Sequence, residues 1–355
     1  MGKSEKIGIL TFHASHNYGS MLQAYALQTH LQASGYNAQI VNLRIPAQKH
    51  CLYRDPLRLS AWRLLINFFN NPSAFCGKVV RWRIFEKFLR EKMNLSQECG
   101  CLREVEKCLK DNSYDTIILG GDQIWNADCL DFSIAYYMPF HLPGVKIVSY
   151  APSFGGDLTF LSPDYRRFIR PLMERIDFVS VRDKAGSEML SALLGKEVPS
   201  MTDPTMLQDW VFYDDLAGSK PVVRGKYMYC YNPFGQKLDL AQKIADRNNA
   251  RMVTRWMAGP CEFLNLVKNA EFVCGTSFHL VVFALIFHKK FISIGGDSDA
   301  RIMSILEDFH LQQCACPSDA DPDSIELQEI DWNAVDSVLA GYRKKGCDFL
   351  REALG

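Results

Sequence analysis

Short apolar runs alternate along the chain with longer segments in which apolar residues recur every three or four positions. In the first half, the runs with the length and composition of buried strands lie at 7–12, 38–43, 116–121, 146–151 and 178–183. The segments with the period of helices lie at 17–35, 162–176 and 184–195. Strands that alternate with helices predict a parallel sheet, because a helix is the usual connection between neighbouring parallel strands.

The alternation resumes after a stretch that is rich in proline and glycine. The predicted strands of the second half lie at 226–231, 251–256 and 272–275, and the predicted helices lie at 236–249, 260–270 and 331–354. We expect an α/β fold with two Rossmann-like domains that face a central cleft. The expected parts are an N-terminal domain over 1–205 with a helical insertion over 52–112, a linker over 206–224, a C-terminal domain over 225–330 and a terminal helix over 331–355.

Length and charge restrict the class of protein. The 355 residues fit two domains of ordinary size, and the formal net charge of +0 gives no general attraction to nucleic acid. The N-terminus lacks the apolar stretch of a signal peptide, and the longest apolar run, 280–287, is too short to span a membrane. We therefore expect a cytoplasmic protein whose 12 cysteines are reduced thiols.

The segment 52–93 departs from this plan, because large aromatic residues and basic residues share its predicted helices. Its acidic residues are Asp55, Glu86 and Glu91. One interpretation is a surface that contacts an anionic membrane, since basic and aromatic side chains favour the lipid–water interface. The other is a pair of helices whose aromatic side chains close over the sheet while the basic side chains stay solvated.

The loop between the first strand and the first helix carries His16, Asn17, Tyr18 and Gly19. Free N–H groups and the positive end of the dipole at a helix N-terminus suit an anion or a hydroxyl-rich ligand. The alternative is a capped turn, with Asn17 as the N-cap of a helix that stops at Gly35. The loop does not contain the glycine-rich fingerprint of a dinucleotide site.

Two further strand ends of the first domain carry charged residues. Asp122 follows the run 116–121, and a carboxylate there can accept a proton from a sugar hydroxyl or cap the next turn. Arg182 lies near the end of the run 178–183 and is costly to bury unless it is paired. Asp183 is the expected structural partner, and a ligand carboxylate or phosphate is the functional alternative.

In the second domain, Asn232, Arg255 and the turn 275–279 follow three predicted strands. Ser277 can cap the helix that begins there. The N–H groups of the first turn and His279 would then form an anion site, in which His279 can donate a proton. The alternative for a lone histidine is a packed core side chain.

Six stretches follow one another in the order TFHASHNYGSMLQAYALQ, ILGGDQIWN, YAPSFG, SVRDKAG, TDPTML and EFLNLVKNAEFVCGTSFHLVVFALIFHKKF. Together they resemble the motifs of the polysaccharide pyruvyl transferase family, over about residues 7–295. The resemblance implies a fold like that of GT-B glycosyltransferases. It also implies transfer of the enolpyruvyl group of phosphoenolpyruvate to a saccharide, which forms a pyruvate ketal and releases phosphate. Acceptors in the family are typically cell-surface glycans or their lipid-linked precursors.

For this chemistry we assign roles to the residues at the strand ends. The catalytic candidates are His279, Asp122 and Arg182. The candidates for binding the donor are Thr276, Ser277, Phe278, Arg255 and Asn232. The candidates for binding the acceptor are His16, Asn17, Tyr18, Gly19, Gln123 and Tyr150. No step demands a metal ion or a cofactor besides the donor substrate. If the acceptor is polyprenyl-linked, the segment 52–93 would bring the protein to the inner face of the cytoplasmic membrane.

The last motif departs from the family pattern. Leu280 stands where the family usually has glycine, and Gly275 precedes Thr276. Two alternatives therefore stay open. One is a glycosyltransferase of the same fold that uses a nucleotide sugar, for which Trp256 is the candidate stacking residue. The other is a non-catalytic protein of glycan assembly.

Overall fold

The computed structural model describes residues 5–58, 60–156, 158–159, 161–232 and 234–355. The chain forms two compact units. The first comprises Met1–Leu207 and Lys345–Gly355, and the second comprises Gln208–Lys344. Within the described ranges, no helix is both long enough and apolar enough to cross a membrane.

A four-stranded parallel sheet forms the centre of the first unit. Its strands are β1 (Lys6–Leu10), β2 (Asn37–Ile40), β3 (Thr116–Gly120) and β4 (Lys146–Tyr150). Its helices are α1 (Tyr18–Ala33), α2 (Pro46–Cys51), α3 (Ala61–Asn70), α4 (Pro72–Lys92), α5 (Leu102–Asn112), α6 (Pro163–Met173) and α7 (Lys184–Leu194). The strand order is β2–β1–β3–β4, and every pair is parallel. The carboxyl ends of all the strands therefore lie along one edge of the sheet.

A five-stranded parallel sheet forms the centre of the second unit, with helices between its strands. The elements in chain order are α8 (Trp210–Ala217), β5 (Tyr227–Tyr231), α9 (Gln236–Arg247), β6 (Arg251–Val253), α10 (Pro260–Asn269), β7 (Phe272–Gly275), α11 (Phe278–Ile286), β8 (Lys290–Ile294), α12 (Ala300–Asp308) and β9 (Ala315–Cys316). The strand order is β6–β5–β7–β8–β9. The last helix, α13 (Trp332–Leu354), contributes residues to both units.

The predicted strands are confirmed except for the run 178–183. In the described part of the chain this run forms isolated bridges, of Phe178 with Val148 and of Val181 with Ser200, and no strand. The N–H of Asp177 donates to the carbonyl oxygen of Ile147 and the N–H of Ser149 donates to that of Phe178, and beyond this point side-chain hydroxyls take the place of the backbone ladder. The hydroxyl of Ser149 donates to the carbonyl oxygen of Ser180 at 2.9 Å, and the hydroxyl of Ser180 donates to the carbonyl oxygen of Ser149 at 2.7 Å. The prediction of a strand there is wrong. It was made from the apolar composition of the run, and composition does not reveal that serine side chains will form these hydrogen bonds.

The segment 206–224, expected as a linker, belongs to the second unit from Gln208 onward and contains α8. The buried amide of Asn265 on α10 holds the chain that follows this helix. Its Nδ2 atom donates to the carbonyl oxygens of Ala217 and Lys220, each at 3.0 Å, and its Oδ1 atom accepts from the N–H of Val222 at 3.0 Å. The proline and glycine residues of this segment therefore lie in a turn of the second unit that hydrogen bonds from Asn265 hold in place.

The loop after β3 is fixed in place by Trp125, whose side chain is fully buried. The indole Nε1–H donates to the carbonyl oxygen of Tyr136 at 3.0 Å, and the hydroxyl of Tyr137 donates to the carbonyl oxygen of Trp125 at 3.0 Å. The rings of Trp125 and Tyr137 stack with centroids 5.9 Å apart. The buried Trp125 side chain and its contacts therefore fix the backbone of the loop that carries these polar residues.

The two helices of the segment 52–93 differ in what their aromatic side chains do. On α4, Phe85 and Phe88 are buried, and Phe85 stacks on Tyr18 with centroids 5.5 Å apart. On α3, Trp62 and Phe69 are exposed. Phe85 and Phe88 of α4 are therefore buried against Tyr18 and Tyr25 of α1, and their closing over the sheet itself stays a prediction. Leu59 and the side chains of Ala61, Arg63, Leu64, Asn67 and Phe68 lie outside the described part of the segment.

Candidate functional site

Left-handed backbone conformations mark the carboxyl edges of both sheets. Non-glycine residues with positive φ in the loops after β1, β3, β4 and β5 are His16 (53°), Asp122 (52°), Met138 (52°), Ala151 (52°) and Asn232 (62°). Such conformations cost free energy and persist where the surrounding structure fixes them, as at ligand sites. Of these residues, sequence reasoning selected His16, Asp122 and Asn232.

Asp122 is buried and held by hydrogen bonds from both sides. Its Oδ2 atom accepts from the hydroxyl of Ser20 at 2.5 Å, and its Oδ1 atom accepts from the N–H of Gln123 at 2.9 Å. The preceding residue must be glycine, because a Cβ atom on Gly121 would lie 1.8 Å from Oε1 of Gln23. The turn therefore presents the carboxylate in one fixed orientation, beside the first turn of α1.

A second carboxyl group, that of Asp131, lies in the same loop and was not found from the sequence. Its Oδ1 atom is buried and accepts no hydrogen bond within the described part of the chain. Burial raises the pKa of Asp131 to about 7, the hydroxyl of Ser15 opposes that rise, and the charge of Asp122 adds to it. The backbone of Asp131 is fixed by Gln48, whose Nε2 atom donates to its carbonyl oxygen at 2.6 Å. A carboxyl group whose pKa is raised toward neutrality suits general acid–base chemistry.

His16 belongs to a charged cluster with Glu86 on α4 and Arg44. The Nε2 atom of His16 lies 3.0 Å from Oε1 of Glu86, and Arg44 donates to both carboxylate oxygens of Glu86 at 3.0 and 2.5 Å. Burial alone would raise the pKa of Glu86, but these hydrogen bonds lower it to about 2. Burial lowers the pKa of His16, so its neutral ring donates to Glu86 near neutral pH. Sequence reasoning missed both Arg44 and Glu86.

A cleft opens beside this cluster. It is lined by Arg44, Tyr53, Trp82, Glu86 and Glu98, among other residues. The guanidinium of Arg44 lies over the ring of Tyr53, 4.6 Å from the ring centroid. The indole Nε1–H of Trp82 donates to the carbonyl oxygen of Tyr53 at 3.2 Å. Aromatic faces next to hydrogen-bonding groups of both charges suit a hydroxyl-rich ligand.

The residues that follow His16 form a capped turn. Asn17 is the N-cap of α1, and its Oδ1 atom accepts from the N–H groups of Gly19 at 2.9 Å and Ser20 at 3.4 Å. The capped-turn interpretation is confirmed, since the side chain of Asn17 already occupies two N–H groups of the first turn. Tyr18 is buried under α4, where it stacks on Phe85.

Gln123 and Tyr150, the remaining candidates for the acceptor, have different surroundings. Oε1 of Gln123 accepts from Nδ2 of Asn126 at 3.0 Å, and both amides lie against Gly155, whose φ is +92°. Tyr150 is fully buried, and its ring lies 6.1 Å from that of Phe349 on α13. Tyr150 is therefore a core side chain at the end of β4, where Ile147 through Tyr150 are all buried.

Arg182 is buried in an ion pair with Asp203, with Nη1 and Oδ2 2.6 Å apart. The expectation that Asp183 is its partner is wrong. The carboxylate of Asp183 accepts instead from the hydroxyl of Ser153 at 3.0 Å and from the N–H of Phe154 at 2.8 Å. The structure therefore gives Arg182 a carboxylate of the protein, which compensates its burial.

In the second unit, the turns after β5 and β7 are joined. The hydroxyl of Thr276 donates to the carbonyl oxygen of Asn232 at 3.0 Å. Ser277 is the N-cap of α11 by position, but its side chain makes no capping hydrogen bond. His279 lies in the first turn of this helix and is buried, with its ring edge-to-face on Phe278 at 5.2 Å. These residues share the carboxyl edge of the second sheet, as the sequence predicted.

The structure gives a packing reason for Leu280. A Cβ atom on Gly275 would lie 2.2 Å from the carbonyl oxygen of Tyr231 and 2.8 Å from Cδ2 of Leu280. The strand end therefore requires glycine at position 275, and the buried side chain of Leu280 packs over it. The two departures from the family pattern form one complementary pair, small at 275 and large at 280.

Arg255, the second cationic candidate, follows β6 at the same edge. Its Nη1 atom lies 2.9 Å from Oε1 of Glu262 on α10, and the side chain is 45% exposed. An exposed ion pair of this kind contributes little to stability and can exchange its partner. Arg255 is thus more accessible to an anion than Arg182.

The fold of the protein is shared with solved structures of sugar-nucleotide enzymes. One is the UDP-GlcNAc 2-epimerase of Methanocaldococcus jannaschii in complex with UDP-GlcNAc and UDP, with a TM-score of 0.53 and 12% identity over 98% of this chain and 99% of that one. Another is an alpha-glucosyltransferase in complex with UDP and a 13-mer DNA containing a HMU base, with a TM-score of 0.50 and 10% identity over 99% of this chain and 92% of that one. No curated protein sequence matches the chain. The protein has the two-domain Rossmann-like fold of GT-B glycosyltransferases and epimerases.

The family follows from a second comparison. The family model for polysaccharide pyruvyl transferase matches residues 17–298, which is more than half of the chain. The protein therefore belongs to the polysaccharide pyruvyl transferase family. It is a transferase of polysaccharide biosynthesis, and its acceptor is a saccharide.

Proposed function

We propose that the protein transfers the enolpyruvyl group of phosphoenolpyruvate to two hydroxyls of a saccharide, forming a pyruvate ketal and releasing phosphate. The observation that carries the proposal is the family match over residues 17–298, which includes strand-end residues of both units, among them Asp122 and His279. We further propose that the acceptor is a polyprenyl-linked precursor of a capsule or exopolysaccharide, used at the inner face of the cytoplasmic membrane.

The proposed reaction has two proton transfers to organise. The methylene carbon of the donor takes up a proton and becomes a methyl group, which makes the neighbouring carbon electrophilic. One acceptor hydroxyl attacks that carbon, the bond to the phosphate oxygen breaks, and the second hydroxyl closes the ring. One hydroxyl proton thus ends on the methyl group and the other on phosphate. The site needs an acid, a base and donors that hold the phosphate.

For the donor we propose the turn at the start of α11. Its first N–H groups and the hydroxyl of Ser277 would hold the phosphate, because the positive end of the helix dipole points there. His279 would supply the proton, and Arg255 would hold a donor oxygen. The burial of Arg182 in its ion pair with Asp203 supports a structural role for that arginine.

For the acceptor we propose the carboxyl edge of the first sheet. Asp122 accepts hydrogen bonds from Ser20 and Gln123, which hold its carboxyl group in one orientation, and we assign it as the acceptor of a hydroxyl proton. Asp131, with its pKa near neutrality, would relay that proton. The cleft lined by Tyr53 and Trp82 would take the sugar ring.

Two measurements test the donor and the product. In a thermal-shift assay, phosphoenolpyruvate should raise the melting temperature, whereas uridine diphosphate should leave it unchanged. Incubation with phosphoenolpyruvate and a panel of lipid-linked saccharides should add one pyruvate less one water to the acceptor mass. Stabilisation by uridine diphosphate alone would favour a glycosyltransferase, and binding of a saccharide without any mass change would favour a non-catalytic assembly protein.

A further inference from the structure

One face of α3 is an exposed apolar stripe. Its members are exposed to the following extents: Trp62 72%, Leu65 51%, Ile66 39% and Phe69 74%. The spacing of these positions places all of them on a single face of a helix. A helix on the surface of a soluble protein normally turns such a face toward the core. A cluster of large apolar side chains exposed together marks an interaction surface.

Basic residues predominate in the sequence around this stripe, although Arg58 lies 3.6 Å from the carboxylate of Asp55. Between positions 56 and 85 the sequence contains five basic residues and no acidic residue. Three of the basic side chains, those of Arg58, Lys78 and Arg83, are exposed on either side of α3 in the sequence. Exposed tryptophan and phenylalanine, with exposed basic residues before and after them in the sequence, have the composition of an interfacial segment on anionic lipid.

We propose that α3 docks the protein on an anionic lipid surface, with Trp62 and Phe69 inserted at the level of the headgroups. Charge complementarity favours anionic lipid over a second copy of the chain as the partner of this stripe. A second copy of the chain would bring two basic surfaces together, and their repulsion would oppose association. Lipid headgroups of negative charge instead meet the basic side chains while the acyl chains take up the apolar stripe.

The apolar stripe on α3, made of Trp62, Leu65, Ile66 and Phe69, includes none of the residues to which we assign the reaction. The docking of α3 goes beyond the proposed function. It predicts that the protein binds an anionic lipid surface whether or not its acceptor is lipid-linked. Its test contains neither phosphoenolpyruvate nor acceptor, so a failure of the one proposal does not count against the other.

The test is co-sedimentation of the full-length protein with vesicles of phosphatidylcholine, alone or mixed with phosphatidylglycerol. The wild-type protein should bind the mixed vesicles at low salt and lose binding as salt is raised. The double variant Trp62→Ser/Phe69→Ser should bind at least about tenfold more weakly, since it loses the apolar side chains that insert. The matched control is Trp210→Ser, which removes an exposed tryptophan from α8 and should leave binding unchanged.

The variant Trp62→Phe tests the proposal even if the double variant Trp62→Ser/Phe69→Ser fails to fold. Trp62→Phe keeps an apolar ring and should keep binding. Brominated phosphatidylglycerol should quench the tryptophan fluorescence of the wild-type protein and quench that of Trp62→Phe less.

Three results would overturn the proposal: no binding of the wild-type protein at low salt, equal binding by the double variant, or equal quenching of Trp62→Phe. Light scattering that shows a wild-type dimer and a monomeric double variant would also overturn it, because the stripe would then be a protein–protein interface.

Discussion

Asp131 is a partly buried carboxyl group, and its replacement by asparagine should stabilise the protein and lower its activity. Its folded pKa of about 7 lies above the ordinary value of 3.8, so the stability it contributes is present at low pH and lost as pH rises through neutrality. At pH 8, Asp131→Asn should therefore raise the free energy of unfolding by about 1–3 kcal/mol. That gain should disappear as the pH is lowered toward 4. Denaturant unfolding at several pH values measures it.

The same variant should lose acceptor-dependent phosphate release by about 100-fold, since it can no longer exchange a proton. Asp128→Asn is the matched control, because Asp128 lies in the same loop with an exposed side chain. A stabilised Asp131→Asn variant with full activity would show that this carboxyl group has no part in proton transfer.

At the level of elements, the end of β7 depends on a glycine. Gly275→Ala would push a Cβ atom against the carbonyl oxygen of Tyr231, so the two strand ends must separate. We expect a loss of about 1–3 kcal/mol in the free energy of unfolding, as for other overpacked sites. Gly341→Ala on α13 is the control, because a Cβ atom there meets nothing within 4 Å. Equal stability of the two variants, measured by thermal unfolding, would contradict the packing account of Gly275 and Leu280.

The elements themselves were largely predictable from the sequence. Buried parallel strands are continuous apolar runs, and the helices between them carry a clear period, so most strands were placed to within a few residues. One prediction failed for an identifiable reason. The hydroxyls of Ser149 and Ser180 exchange hydrogen bonds in the run 178–183, where a strand was predicted. The linker over 206–224 stays a prediction, and the amide of Asn265 on α10 holds the part of that segment that follows α8.

At the scale of the whole molecule, acid stability should depend on Glu86. Its folded pKa of about 2 lies below the ordinary value of 4.5, so its contribution is present above pH 4.5 and lost as pH falls toward 2. Above pH 4.5 the wild-type protein should exceed Glu86→Gln in unfolding free energy by about 3 kcal/mol, because the variant leaves Arg44 buried without its carboxylate.

That difference should shrink steadily as the pH is lowered below 4.5. Thermal unfolding of both proteins across this range measures it. The control is Glu91→Gln on the same helix, whose exposed ion pairs contribute little. A difference that stays constant down to pH 3 would mean that Glu86 is not held ionised by its neighbours.

The candidate site was predictable only in part. Strand-end position selected His279, Asp122 and Asn232, because the carboxyl ends of parallel strands share one edge. It could not select Asp131 or Glu86, which reach the first unit's edge from a loop and from the inserted helix α4. Their positions depend on tertiary packing, and in one sequence each looks like an ordinary polar surface residue.

The most direct test of the central claim is phosphate release from phosphoenolpyruvate in the presence of saccharide acceptors. The wild-type protein should release phosphate only when an acceptor is present, and His279→Asn should reduce the rate by about 100-fold. His288→Asn should leave it unchanged, because that histidine follows α11 and pairs with Asp336 at the surface. Unchanged release by His279→Asn, or release that does not depend on any acceptor, would contradict the account.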